Sequence, residues 1–257
     1  MPYPNAMPST YPSEASAPPP LDCARHAVFL DFDGTLVEIA PRPDAILVPT
    51  DLPARLAALS DACAGALAVV SGRSLPELAG YLPGFAGLMV GSHGAEARGM
   101  APPLGDSPSG LAMLQNDLAA FAASKGLLYE EKTHGGALHY RQRPEAADEV
   151  AAFAADLAAQ TPGFAVQPAK MAMELRPAGV SKDRALSALW ALPVFAGRIP
   201  VFLGDDTTDE PALDWAGTQG GFGIKIGTGD SCAGYRLPDP EAVRDWLAAA
   251  QGVSWGV

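Results

Sequence analysis

Cysteine is nearly absent from this sequence: Cys23, Cys63 and Cys232 are three among 257 residues, and they stand far apart. None has CxxC spacing or a Cys/His cluster around it, which leaves no zinc site or disulfide framework, and free thiols in a reducing cytoplasm are expected. Long apolar runs are missing too, and none approaches the roughly 20 residues of a membrane span. The opening MPYPNAMPSTYPSEASAPPP lacks the basic start and apolar stretch of a secretory signal. Its Pro, Ser and Ala bias is that of a disordered tail, expected over residues 1–21. Basic residues are scarce, with 17 Lys and Arg against 29 Asp and Glu for a net charge of −12. No nucleic-acid partner is therefore expected, because phosphate-backbone binding rests on clustered Lys and Arg. No membrane partner is expected either, and oligomeric state is left open.

Hydrophobic residues make up 48% of the chain and charged ones 18%, enough to bury a core. Short apolar runs alternate with amphipathic stretches. AVFL (27–30), ALAVV (66–70) and GLMV (87–90) read as strands, and 51–63 and 74–82 as helices, the second opened by a capping box of Ser74 and Glu77. Runs apolar on both sides suit a parallel sheet covered by helices, so the fold class is α/β.

The rhythm changes at residue 109. A helix over 109–124 with Gly126 behind it is followed by LLYEEKT (127–133) and ALHYRQR (137–143), joined by a hairpin signal, HGG. Then come a helix over 144–160, FAVQPA (164–169) and MAMELRP (171–177). This is a separate α+β unit of about 70 residues. Alternation places Met171, Met173 and Leu175 on its buried face and Glu174 opposite, Glu130 with Lys132, and His139 with Arg141 and Arg143. The α/β rhythm then resumes with a helix at 181–192, IPVFLG (199–204), a helix at 208–216, FGIKIG (222–227) and a helix at 240–250. The expected domains are a core in two parts, 22–105 and 179–257, around an α+β cap at 106–178. Hinges are expected near 104–108 and 177–180.

Ligands of parallel sheets bind beyond the carboxyl ends of the strands. Four expected strands end in polar residues: FLDFDGT, VVSGR, MVGSHGAE and VFLGDDTTDE. They bring Asp31, Asp33, Ser71, Arg73, Asp205, Asp206 and Asp209 to one sheet edge. Asp31 and Asp33 alone could simply cap a turn. A calcium loop is ruled out, since its glycine and glutamate positions fall on Leu36 and Arg42. Two carboxylates about 4 Å apart repel by roughly 4 kcal/mol at an effective dielectric near 20. A hard cation relieves that repulsion, and Mg2+ held by one or two carboxylates also leaves room for water and phosphate. One aspartate could then attack phosphorus and the other move the proton. Ser71 offers a hydroxyl to a phosphoryl oxygen. Lys182 offers a charge at a helix start, unless it is only an exposed lysine.

The ordered set DFDGT, VVSGR, the lysine of GVSKDRAL and GDDTTDE resembles the haloacid dehalogenase superfamily. That resemblance implies a Rossmann-like parallel-sheet core with an inserted cap. It implies Asp31 as nucleophile, Asp33 as acid and base, and Ser71 and Lys182 as phosphate ligands. It further implies Mg2+ on Asp31, the Asp33 carbonyl and Asp205, with Asp206 and Asp209 as neighbouring acids, and Gly34 and Thr35 beside the substrate. GSHGAE, ALHYR, MELRPAGVSK and KIGTG are similar to the bacterial trehalose-6-phosphate phosphatases. This second likeness covers residues 24–250 and implies hydrolysis of trehalose 6-phosphate, the last step of trehalose biosynthesis. Other sugar phosphatases, a phosphomutase, or a silent sugar-phosphate binder are the alternatives. It also implies sugar contact by Glu130, Lys132 and Glu174, which alternation alone would leave as a solvated face. Arg73, His93 and Glu96 would approach the substrate from the core, although His93 suits a packed loop equally.

Overall fold

The computed structural model describes residues 16–40, 45–101, 108–169 and 171–251. Along the chain they form β1 (His26–Leu30), α1 (Leu52–Ala62), β2 (Leu67–Val70), α2 (Leu75–Tyr81), β3 (Leu88–Gly91), β4 (Glu96–Arg98), α3 (Leu111–Lys125), β5 (Leu128–Lys132) and β6 (Gly135–His139). There follow α4 (Ala147–Gln160), β7 (Phe164–Ala169), β8 (Ala172–Pro177), α5 (Lys182–Trp190), β9 (Ile199–Gly204), α6 (Glu210–Thr218), β10 (Phe222–Ile226), β11 (Tyr235–Leu237) and α7 (Pro240–Ala249). These elements group into two compact units. One comprises the described residues up to 69, 84–87 and those from 190 on; the other comprises 70–83 and 88–189.

The first unit carries parallel strands in the order β11-β10-β9-β1-β2. Every residue of β1 and β2 is buried, as expected for strands covered on both faces. Phe29 of β1 packs against Phe195 with ring centres 5.0 Å apart and meets Trp215 of α6 edge-on at 6.1 Å. In α1 the buried Leu52, Leu56 and Leu59 form a single stripe at helical spacing. β1 and β9 run in register from His26–Ile199 to Leu30–Leu203, so both chains leave the sheet at the same edge.

Residues 16–21, expected within the disordered tail, lie on this unit. Ser16 bridges Tyr235 of β11, the Arg236 amide donates to the Ser16 carbonyl at 3.1 Å, and the Trp246 indole donates to the Pro19 carbonyl at 2.9 Å. An extended proline-rich run meets the unpaired donors of a short edge strand, which a reading by composition overlooks. Residues 1–15 of that tail lie outside the described residues.

The second unit combines α2, β3, β4 and α5 with the α+β sandwich, a wider grouping than the expected cap at 106–178. Its four-stranded antiparallel sheet, β5-β6-β8-β7, packs one face on α3 and α4. Leu114 and Leu118 of α3, Val150, Ala154 and Leu157 of α4, and Leu138, Phe164 and Leu175 of the sheet make that core. Phe121 and Phe153 stack between the helices at 3.9 Å. The expected capping box opens α2. The hairpin turn is Thr133–His134 rather than HGG, because Lys132 pairs with Gly135. Gly135 belongs to β6, where a β-carbon would stand 2.0 Å from the Leu175 carbonyl oxygen.

Two other expectations fail nearby. β6 ends at His139, so Arg141 and Arg143 do not continue its alternation; Arg143 turns to Glu145 at 3.1 Å. Met171 precedes β8 in a left-handed conformation, φ 60°, and only Met173 and Leu175 face the core. Of the expected hinges, 177–180 carries a turn hydrogen bond from the Val180 amide to the Pro177 carbonyl at 3.4 Å, and its Ala178 amide donates to the Gly163 carbonyl at 2.7 Å. Residues 102–107, which hold most of the other hinge, lie outside the described residues. Sequence reasoning missed β4 and β11, both only three residues long.

Candidate active site

Asp31 follows β1, and Asp205 follows β9 one residue beyond Gly204. Because the two strands are parallel and Leu30 pairs with Leu203, Asp31 leaves the sheet level with Gly204, and Asp205 follows one residue further at the same edge. Carboxylate oxygens of Asp31, Asp205 and Asp209 lie within 4.8 Å of one another, with Asp31 and Asp209 buried and Asp205 half-buried. The Asp209 Oδ2 accepts the backbone N–H groups of Asp205 at 3.0 Å and Asp206 at 3.1 Å, which anchors it. Thr35, fully buried, places its hydroxyl 3.5 Å from Asp31 Oδ2. Gly34 has φ 75°, and a β-carbon there would come within 2.2 Å of Asp205 Oδ2. The chain turns at DFDGT so that a glycine backbone makes room for a carboxylate.

Three buried or half-buried carboxylates this close repel strongly in a low dielectric. All-oxygen, anionic donors are what a small hard cation takes, so this donor set fits Mg2+. Asp33 is half-buried three residues beyond the end of β1, and its carboxylate is not one of the three. Asp206, expected among the metal acids, is exposed. Its Oδ1 accepts the Thr207 amide at 2.7 Å and the Thr207 hydroxyl at 3.2 Å, capping the helical turn that carries Asp209.

The second unit gathers the other expected residues. Ser71 is fully buried, and its Oγ accepts the Arg73 amide at 3.2 Å, which leaves the hydroxyl proton to donate. Arg73 lies over the Tyr81 ring at 4.9 Å and pairs with Glu77 at 3.7 Å. His93 follows Ser92 in a left-handed backbone, φ 56° and 47°, held by its amide on the Ser71 carbonyl at 2.9 Å. Burial, and then the charges of Lys182, Arg176 and Lys132, push its pKa well below 6.5, so the ring is neutral at pH 7. Its Nδ1 is buried and, among the described residues, without a hydrogen-bond partner. Lys182 opens α5 and is 4% exposed, not an exposed helix-start lysine.

Glu96 is engaged within the second unit. Oε1 accepts the Ser92 hydroxyl at 2.6 Å and lies 3.3 Å from His134, while Oε2 accepts the Leu75 amide at 2.9 Å. It braces the strained loop that carries His93.

On the sheet face opposite the helices, Glu130, Ala137 and Glu174 stand side by side on neighbouring strands. Lys132 lies 3.5 Å from Glu130 and 3.8 Å from Glu174. A hydrogen bond from His139 at 2.8 Å is the main cause holding the Glu130 carboxyl below its usual range. The small, buried Ala137 thus separates two acids, with a lysine near both.

Sequence reasoning missed Arg176 and Gln167 on this face, joined at 2.8 Å, although β8 alternates Glu174 with Arg176. It also missed Lys225, whose signal was a single charge in the apolar strand FGIKI.

A profile of the trehalose-phosphatase family matches residues 29–241. The chain is 38% identical over 233 residues to a trehalose-6-phosphate phosphatase of Escherichia coli K12, covering 87% of this chain and 86% of the relative. It is likewise 38% identical over 235 residues to a probable trehalose-phosphate phosphatase of Sinorhizobium fredii, covering 89% and 88%. Among solved structures, a trehalose-6-phosphate phosphatase related protein superposes with TM-score 0.70 at 26% identity, over 86% of this chain and 94% of that one. A haloacid dehalogenase-like hydrolase from Bacteroides thetaiotaomicron reaches 0.56 at 16% identity over 84% and 95%, which supports the fold class alone.

Proposed function

We infer the reaction from one premise: the chain belongs to the trehalose-phosphatase family. It is a phosphomonoesterase that hydrolyses trehalose 6-phosphate to trehalose and phosphate. The grouping of Asp31, Asp205 and Asp209 is the observation that carries this reading, because anionic groups alone would repel a phosphate ester.

In the proposed mechanism a carboxylate oxygen of Asp31 attacks phosphorus while the bond from phosphorus to the sugar oxygen breaks. Asp33 protonates that leaving oxygen. It then takes a proton from the water that attacks the aspartyl-phosphate, and the bond between phosphorus and Asp31 breaks to release phosphate and restore the carboxylate. Ser71 and Lys182 are the proposed partners of the phosphoryl oxygens; the donating hydroxyl of the one and the buried charge of the other support those roles. Mg2+, held by Asp31, Asp205, the Asp33 carbonyl and Asp209, would supply the positive charge that offsets the acids. Glu130, Lys132 and Glu174 would read sugar hydroxyls, which both donate and accept hydrogen bonds. Arg73 and the neutral His93 would add contacts near the ester. Gly34 and Thr35 would shape the pocket around Asp31. Free Cys23, Cys63 and Cys232 support a reducing, cytoplasmic setting. Among the described residues no helix is long and apolar enough to cross a membrane.

The test is phosphate release from trehalose 6-phosphate, glucose 6-phosphate and sucrose 6-phosphate, with Mg2+ and after thorough chelation. Turnover confined largely to trehalose 6-phosphate and dependent on Mg2+ is expected. Equal rates on all three esters, or a rate unchanged by chelation, would overturn the reading.

A further inference from the structure

Lys225 is 4% exposed in the apolar strand β10. A buried ammonium loses its hydration and persists only where partners replace it. In the β9–β10 pairing Lys225 stands beside Gly204, immediately before Asp205. Its Nζ donates to the backbone carbonyl of Asp205 and lies 3.8 Å from Oε1 of Glu210, the first residue of α6.

The other oxygen of Glu210 is engaged as well. Oε2 accepts the Ser231 hydroxyl at 3.1 Å and the Cys232 amide at 2.8 Å. The Cys232 thiol donates to the Glu210 carbonyl at 3.4 Å. Burial, and then the Glu210 hydrogen bond, push that thiol up to about 12, so it remains a donor. Glu210 is thus held through Oε2, and its buried Oε1, which makes no hydrogen bond among the described residues, faces Lys225 as an ion-pair partner.

The three acids are held in different ways. Asp31 is carried by the end of β1, its amide on the Leu203 carbonyl at 3.0 Å. Asp209 is anchored by two backbone N–H groups. Asp205 is half-buried and has left its strand. Its main chain is gripped from two directions: the amide by Asp209 and the carbonyl by Lys225. The Glu210 carboxylate offsets the ammonium charge, so Lys225 holds the backbone without presenting a bare positive charge to a cation nearby.

We propose that Lys225, steadied by Glu210, is a positioning residue that fixes the main chain of Asp205 and thereby sets the divalent-cation affinity of the Asp31–Asp205–Asp209 group. The proposal rests on the reading that these acids hold a divalent cation. Partners that orient a metal ligand typically change metal affinity about 10–100-fold when removed.

The experiment uses the full chain with Mn2+ as a spectroscopic substitute for Mg2+, free Mn2+ being counted by electron paramagnetic resonance. The parent should bind Mn2+, and Asp205→Asn should abolish that binding; a parent that binds none overturns the cation reading itself. Lys225→Met should melt cooperatively yet bind Mn2+ about 10-fold or more weakly. Its turnover should recover as Mg2+ is raised, a rescue that a merely structural defect would not show. Unchanged Mn2+ affinity in folded Lys225→Met overturns the proposal and leaves the cation reading standing. Should that variant not fold, Glu210→Gln carries the test. It leaves the ammonium without an opposing charge, so Mn2+ binding should weaken several-fold, and more so at low salt. Unchanged affinity there overturns the proposal equally.

Discussion

A β-carbon on Gly34 would stand 2.2 Å from Oδ2 of Asp205. The turn that follows the proposed nucleophile and the acid that follows β9 therefore share one space, and only hydrogen fits between them. Gly34→Ala forces Asp205 to move and strains a backbone at φ 75°. We expect a stability loss of about 1 kcal/mol or more. A far larger effect should fall on catalysis, with phosphate release reduced at least 100-fold, on the order of the cost of misplacing reacting groups by about 1 Å. Thermal melting and a phosphate assay on the same protein separate the two.

Asp31→Asn should lose turnover almost completely and yet be the more stable protein once metal is stripped. The substitution removes one of three mutually repelling carboxylates at the sheet edge. A relief of about 1 kcal/mol corresponds to a rise of roughly 2–4 °C in melting temperature for a chain of this size. Melting in chelator, parent against variant, measures it; a lower melting temperature for Asp31→Asn would contradict the crowding argument.

Glu174→Ala should separate sugar recognition from chemistry. Glu174 lies 3.8 Å from Lys132 on the polar face of the four-stranded sheet. Turnover of trehalose 6-phosphate is expected to fall while that of a small aryl phosphate changes little. Equal losses on both esters would remove Glu174 from the sugar.

The neutral His93 makes stability depend on acid. Its folded pKa lies below the unfolded value of 6.5, so between the two the unfolded chain binds the extra proton. The stability it contributes is fully present above pH 6.5 and is lost as pH falls below that value. His26, depressed chiefly by burial, acts in the same direction. His93→Asn, chosen because Asn tolerates a left-handed backbone, should flatten the decline in melting temperature below pH 6.5 without abolishing it. An unchanged pH profile would show that His93 does not carry the effect.

The parallel strands were legible because each is an apolar run bounded by polar residues, and DFDGT and GDDTTDE marked the strand ends where acids collect. The edge strand β11 was not, since three residues carry no period. The packing of residues 16–21 was hidden for another reason: proline-rich composition describes a chain without its partner, and that partner is the free edge of β11.

By itself the sequence determined the α/β class, the α+β insertion, the family, and Asp31 as the residue to watch, because periodicity and motif order are local properties of the chain. Tertiary structure decided which acids lie together. Asp206 and Asp209 are equivalent as letters, yet the turn of 207–209 carries Asp209 to Asp31 and leaves Asp206 capping in solvent. It also decided that Glu96 braces a loop and that Lys225 reaches Asp205, since both contacts join segments whose distance apart depends on strand register and helix packing rather than on neighbours in sequence.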